Sequence, residues 1–290
     1  TTPYAYQFWP GPMEGVAKAE FVATVNELDL VSRWMTPFLR VSEIPAPRKT
    51  VAIFLAPFLR SGKPVTLQLM GDDAKILAET AKTAVALGAE GINLNCGCPS
   101  KRVVRHHSGG AMLNDATLIG EICRAIKDAI GEKEFSLKFR SGSGDWREVE
   151  NFLPPLAASG DVDGFFYHCR TVAEGYTAIA DRKERFLTAA QAAGDVPLVL
   201  NGDFDDGAES FAILAECRAK GAMIARNWMR DPYLLRRCEK QDAPDAETGR
   251  QLFFTTFCAK NPPRGAQLEI CRMLWGEKSP VFRKLCKKTK

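Results

Sequence analysis

Eight short apolar runs, separated by amphipathic stretches, limit what this chain can fold into. They are Phe8–Pro10, Leu28–Val31, Val65–Met70, Gly91–Asn95, Phe135–Phe139, Gly164–His168, Pro197–Asn201 and Ala222–Arg226. Most are apolar throughout, as in strands buried on both faces. The stretches between them carry helical spacing. Asp73–Leu87 sets Ile76, Leu77, Ala81, Ala84 and Val85 on one face and meets Gly88 just past its end. Asp115–Ile130 repeats the pattern before Gly131, and Asp206–Ala219 does so before Gly221. This alternation predicts an α/β chain with a parallel sheet, either open and doubly wound or closed. The glycine fingerprint of open dinucleotide-binding sheets is absent, because Gly142-Ser143-Gly144 continues with Trp146 and Arg147. We therefore expect a closed (β/α)8 TIM barrel of roughly 250 residues, occupying residues 1–240.

Residues 241–250 are polar and bear Pro and Gly, which reads as a linker. The whole of 241–290 is expected to be a short basic helical region that packs on the barrel. Residues 258–290 carry nine Lys or Arg against Glu269 and Glu277, a local net of +7 in a chain whose total is +4. A basic end on a mildly acidic body points to a polyanionic partner. At 46% hydrophobic residues the chain can bury a substantial core. No apolar run approaches the roughly 20 residues of a membrane span. No basic-then-apolar leader precedes Thr1 in this sequence, and we expect a cytoplasmic monomer. The nine cysteines are scattered with no CxxC pair, so reduced thiols and no metal are expected. His106-His107 is assigned to a loop with no metal role.

In a barrel of this kind the reactive groups sit where the strands end. Here those ends carry Pro12-Met13-Glu14, Gln68, Asn95 with Cys98, Lys138 with Arg140, His168 with Arg170, Asn201-Gly202-Asp203, and Arg226. Solvation of a rim does not require polar or reactive groups on seven of eight ends.

The same residues carry a family resemblance. Asn93-Leu94-Asn95-Cys96-Gly97-Cys98-Pro99-Ser100-Lys101, followed by Ser108-Gly109-Gly110-Ala111-Met112-Leu113, resembles the signature of tRNA-dihydrouridine synthases. Pro12-Met13-Glu14-Gly15-Val16 is similar to the opening loop of that family. Leu137-Lys138-Phe139-Arg140 is similar to its Lys-x-Arg strand, and His168-Cys169-Arg170-Thr171 with Gly175-Tyr176 to its His-x-Arg-Thr…Tyr segment. Asn201-Gly202-Asp203 and Met223-Ile224-Ala225-Arg226 resemble its two phosphate loops. The likeness spans about residues 8–235, and its Asn-Cys-Gly-Cys-Pro-Ser run suits the bacterial branch acting on U16 of the D-loop.

The resemblance implies FMN, NADPH as reductant, tRNA as substrate, and reduction of a uridine C5–C6 double bond. No side chain delivers hydride, so a cofactor is required. Pro12, Met13 and Glu14 would line its site, and Asn201, Gly202, Asp203, Ala225 and Arg226 would hold its phosphate. Gln68 and Lys138 would face the polar edge of the isoalloxazine, with Lys138 stabilising the anionic reduced ring. His168 would contact either that edge or the phosphate. Cys98 would donate the proton that uracil C5 needs after hydride reaches C6, since a thiol near pKa 8.5 is mostly protonated at neutral pH. In an extended segment Cys96 has the wrong face for that task. Asn95, Arg140 and Tyr176 would meet the swung-out uridine, and Lys101 and Arg102 the RNA backbone. The alternatives are another FMN barrel acting on a free pyrimidine, and a tRNA-binding relative that has lost catalysis.

Overall fold

The computed structural model describes residues 6–97 and 109–287. The strands are β1 (Gln7–Pro10), β2 (Trp34–Arg40), β3 (Val65–Met70), β4 (Gly91–Cys96), β5 (Glu134–Arg140), β6 (Gly164–His168), β7 (Leu198–Asn201) and β8 (Gly221–Ile224). They form one sheet in the order β1-β8-β7-β6-β5-β4-β3-β2, and every ladder is parallel. The two ends of that order, β1 and β2, come into contact. Trp9 of β1 and Met35 of β2 share an inner apolar cluster with Phe166, Val199 and Met223. The sheet is thus curled round on itself, with helices between strands, as the alternation of runs predicts.

The period-2 geometry of a strand sorts the side chains. On β5, Leu137 and Phe139 join the outer core beneath the helices, while Lys138 and Arg140 turn inward. On β6, Phe165 and Tyr167 go outward and Phe166 and His168 inward. On β4, Ile92, Leu94 and Cys96 go outward, which leaves Asn95 facing the interior. Two of the helices are seated by aspartate caps at the residues where their amphipathic stretches begin. Asp73 Oδ1 accepts from the Ile76 N–H at 2.9 Å ahead of helix Ala74–Ala86, and Asp115 Oδ1 accepts from Leu118 N–H at 2.9 Å ahead of Ala116–Ile130.

The second strand differs from expectation. Leu28–Val31 is not a strand: Leu28 caps helix Ala19–Glu27 and Asp29 takes a φ of 51°. Leu30 and Val31 are apolar because they are buried in the core. The strand is Trp34–Arg40, whose Pro37 lies where the β2–β3 register shifts between Met35 and Phe38. Proline lacks an N–H and reads as a strand breaker, but it is accepted in this strand, which ends the hydrogen-bonded order, at the point where the register shifts. Smaller shifts occur elsewhere. The run Pro197–Asn201 becomes a strand only from Leu198, Ala222–Arg226 ends as strand at Ile224, and helix Asp206–Ala219 contracts to Ala208–Glu216.

The expected linker 241–250 is only half linker. Asp245 accepts hydrogen bonds from the Glu247 and Thr248 N–H groups, each at 3.0 Å, and a helix runs Ala246–Ala259. Phe253 on that helix meets Phe21 at 5.5 Å between ring centroids, and Phe21 meets Trp228 at 5.9 Å, so the segment shares the barrel's outer core. The next helix, Arg264–Trp275, reaches over the strand ends and brings Glu269 and Met273 to the mouth.

Gly221 shows how closely β1 and β8 approach. A Cβ there would stand 1.8 Å from the Gln7 carbonyl oxygen, a backbone atom that cannot swing aside. Gly221→Ala is expected to lose roughly 3 kcal/mol of unfolding free energy. Gly144→Ala, with nothing within 4 Å of the new methyl group, should stay within about 0.5 kcal/mol. Urea denaturation of both variants checks this, and equal midpoints would contradict it.

Candidate active site

The strand ends surround a cavity of about 400 Å³, within the roughly 300–1,000 Å³ of small-molecule sites. It is lined by Pro12, Met13, Glu14, Gln68, Asn95, Lys138, Arg140, His168, Tyr176, Asn201, Gly202, Asp203, Ala225 and Arg226. Those are all the residues expected from the sequence except Cys98, Lys101 and Arg102, which lie outside the described residues.

Its floor is a ladder of amides. Gln68, fully buried, donates from Nε2 to Asn93 Oδ1 at 2.8 Å and accepts at Oε1 from Asn95 Nδ2 at 2.8 Å. Asn93 Nδ2 donates to Ser136 Oγ at 2.9 Å. Asn95 Oδ1 accepts from the Gly97 N–H at 2.9 Å, so this ladder orients the backbone that enters residue 98. Buried amides paired at both ends hold one rotamer. Cys96 points the other way, is completely buried, and has its thiol pKa raised well above normal by burial, then by Cys123. It behaves as a small apolar group.

His168 sits at the centre of a positive field. Burial holds its pKa well below the ordinary imidazole value, and Arg140, Lys138, Arg170 and Arg226 push it further down. It is therefore neutral near pH 7. Arg170, 2% exposed, donates from Nε to the Thr177 carbonyl at 2.5 Å and from Nη2 to Asp203 Oδ2 at 2.5 Å. Its buried Nη1 has no hydrogen-bond partner. Arg226 reaches the other oxygen of Asp203 at 2.5 Å. Burial opposes ionisation of Asp203, but Arg170 and then Arg226 outweigh it and hold this carboxyl below its usual range.

Two loop ends are shaped by close approach. Gly202 has φ 146°, and a Cβ there would lie 2.5 Å from Cys169 Sγ. A Cβ on Gly11 would lie 2.5 Å from that of Ala225. Glycine at these two points lets neighbouring strand ends pack together, Gly202 against Cys169 and Gly11 against Ala225. Asn201 Nδ2 donates to the Met223 carbonyl at 2.9 Å and ties β7 to β8.

Arg140 is 3% exposed and already heavily bonded. It donates to the carbonyls of Gly97 (2.8 Å), Thr171 (3.0 Å) and Gly175 (2.8 Å). Tyr176 follows directly, 63% exposed, with the guanidinium carbons of Arg140 and Arg226 at 5.3 and 5.5 Å from its ring centroid.

Sequence reasoning missed several lining residues. Phe38 belongs to the strand that Pro37 hides. Glu269 and Met273 come from a helix whose docking no local pattern reports. Phe204 and Asn227 immediately follow the two expected phosphate loops, where proximity alone was a usable signal.

The His168 environment has a pH consequence. Its folded pKa is depressed, so the unfolded chain binds the proton first and stability falls as pH drops below about 6.5. The loss from this group has a limiting slope of about 1.4 kcal/mol per pH unit. Denaturation at pH 7 and pH 5 should show a smaller loss in His168→Asn than in the unsubstituted protein. Equal losses would contradict the buried neutral imidazole.

A dihydrouridine synthase family model matches residues 10–262. The tRNA-dihydrouridine(16) synthase of Vibrio vulnificus is 33% identical over 236 residues, covering 77% of this chain and 72% of that protein. The protein of the same name from Salmonella typhimurium is 34% identical over 245 residues, covering 78% and 73%. Among solved structures, morphinone reductase in complex with tetrahydroNAD aligns with a TM-score of 0.55 at 10% identity, covering 84% of this chain and 89% of that one. The 6-hydroxypseudooxynicotine amine oxidase of Pseudomonas geniculata aligns with a TM-score of 0.58 at 14% identity, covering 81% and 47%. These structural likenesses concern the barrel fold. The motif at strand β4, the polar strand ends and the family match lead to one conclusion: the chain belongs to the dihydrouridine synthase family.

Proposed function

We propose that this protein is an FMN-dependent tRNA-dihydrouridine synthase that reduces the C5–C6 bond of U16 in the D-loop, with NADPH as reductant. The single observation that carries the reading is the group of cations gathered about His168 at the cavity. Lys138, Arg140, Arg170 and Arg226 all act on one buried imidazole, and an anionic, flat, hydrogen-bonding ligand suits such a site. The position within tRNA rests on relatives named tRNA-dihydrouridine(16) synthases.

The residues fit a flavin mononucleotide. The Gly202 turn and Arg226 line the cavity and suit a phosphate, and Arg170 stands behind Gly202 with a buried, unpartnered Nη1. The Asp203 carboxylate would hold the two guanidiniums in place and face away from the anion, which its backbone N–H could still meet. Lys138, half-buried beside the amide floor, would stabilise negative charge on the ring edge. A reduced flavin held by these residues would be the source of the hydride that uracil C6 requires. Cys98 then gives its thiol proton to C5, and Asn95, through its bond to the Gly97 N–H, sets the approach of that segment. Tyr176 and Met273 would wall the swung-out base. The half-buried and exposed cations of Arg264–Lys287 would contact RNA phosphates. Among the described residues, no helix is long and apolar enough to cross a membrane, and no His/Cys/Asp/Glu cluster could hold a metal.

The test is unmodified tRNA, NADPH and purified holoenzyme, with dihydrouridine mapped by position. The expected outcome is modification at position 16, lowered roughly 10²–10⁴-fold by Cys98→Ala with tRNA binding intact. Lys138→Met should lower turnover by roughly 10²–10³-fold. Turnover of free uridine nucleotide without turnover of tRNA would overturn the reading.

A further inference from the structure

Arg185 touches no part of the cavity, yet it is among the most heavily engaged charges in the molecule. It lies in the first turn of helix Arg182–Ala193 and is 5% exposed. Nη1 and Nη2 donate to the two oxygens of Glu174 at 2.7 and 2.8 Å, a bidentate pair. Nη1 also donates to the Cys169 carbonyl at 3.0 Å, and Nε lies 2.8 Å from Asp181 Oδ1. The guanidinium carbon lies 5.4 Å from the Trp146 ring centroid. Strand β6, the loop after it, the start of the helix and the loop after β5 thus converge on one side chain.

Glu174 passes this anchorage on. Its Oε2 accepts from the Thr171 N–H at 2.8 Å, and its own N–H donates to Thr171 Oγ1 at 3.1 Å, closing a tight turn. Arg140 holds the same turn from the cavity side through the Thr171 and Gly175 carbonyls. Tyr176 is the next residue and is mostly exposed. Its ring lies 6.5 Å from that of His168, and Arg226 and Arg170 donate to the carbonyls of Tyr176 and Thr177; the turn that precedes it supplies the remaining anchorage on the side of Glu174.

We propose that Arg185 is a positioning residue for substrate: through Glu174 it rigidifies the Thr171–Tyr176 turn and so holds Tyr176 at the mouth as a preformed wall. This rests on the proposed reading for the substrate, but not for the anchor itself. Preordering the wall lowers the entropy lost when the nucleotide enters, so Arg185 is expected to act on substrate binding more than on the chemical step.

The test uses the holoenzyme and four forms: unsubstituted, Arg185→Lys, Tyr176→Ala and the double variant. Lysine keeps the charge but cannot make the bidentate pair. Hydrogen exchange reads the anchor without reference to activity: amides 171–177 should exchange about tenfold faster in Arg185→Lys, with β5 and β6 amides unchanged. Unchanged exchange in 171–177, or faster exchange throughout the barrel, overturns the anchor. Kinetics reads the consequence: KM for tRNA should rise about tenfold with kcat within twofold. In the Tyr176→Ala background the same substitution should add less than twofold, because its effect runs through that ring. Multiplying effects on KM, or a fall in kcat alone, overturn the positioning role. If no form makes dihydrouridine, the proposed function fails while the exchange result still decides the anchor.

Discussion

Gathering Lys138, Arg140, Arg170 and Arg226 around one buried imidazole raises the free energy of the folded chain unless negative charge answers it. The protein answers in part. Three carbonyls receive Arg140, and Asp203 stands between Arg170 and Arg226 with one oxygen for each. Glu14 and Glu269 line the cavity as well, and His168 stays neutral first because it is buried and then because these four cations face it. Cations gathered about one imidazole suit a ligand group that brings negative charge to that side of the cavity.

The fold supplies the arrangement cheaply. Parallel strands end together, so side chains far apart in sequence meet at one rim. Strict alternation then separates duties: Leu137 and Phe139 anchor β5 to the helices while Lys138 and Arg140 enter the cavity. Cys96 shows the other side of the same rule. It sits beside the site in sequence and is excluded from it by facing outward. The amide floor of Gln68, Asn93 and Asn95 carries this order from the barrel interior to the backbone before residue 98.

Much of this was legible in the sequence because it depends on local periodicity. Seven of the eight strands lie within or overlap the apolar runs, and Asp73 and Asp115 announce their helices. The polar strand ends follow once a barrel is assumed. What was hidden depends on tertiary context. Pro37 masks β2 because a proline is acceptable only where a strand is paired on one side or its register shifts, and both are tertiary facts. Leu28–Val31 mimics a strand because Leu30 and Val31 are buried without being paired in a ladder. Glu269 and Met273 reach the mouth through the docking of a whole helix, which no short motif encodes. Arg140 lines the cavity as its strand-end place suggests, but its bonds to backbone carbonyls on two loops are a tertiary fact no local pattern reports.

The central claim is that the cationic end of the barrel selects a ligand for its negative charge. The most direct measurement compares the affinity of flavin-free protein for FMN and for riboflavin, which differ only in the phosphate. Charge-assisted hydrogen bonds of roughly 1.5–3 kcal/mol each predict at least about a hundredfold preference for FMN. Equal affinity for the two flavins would contradict the account.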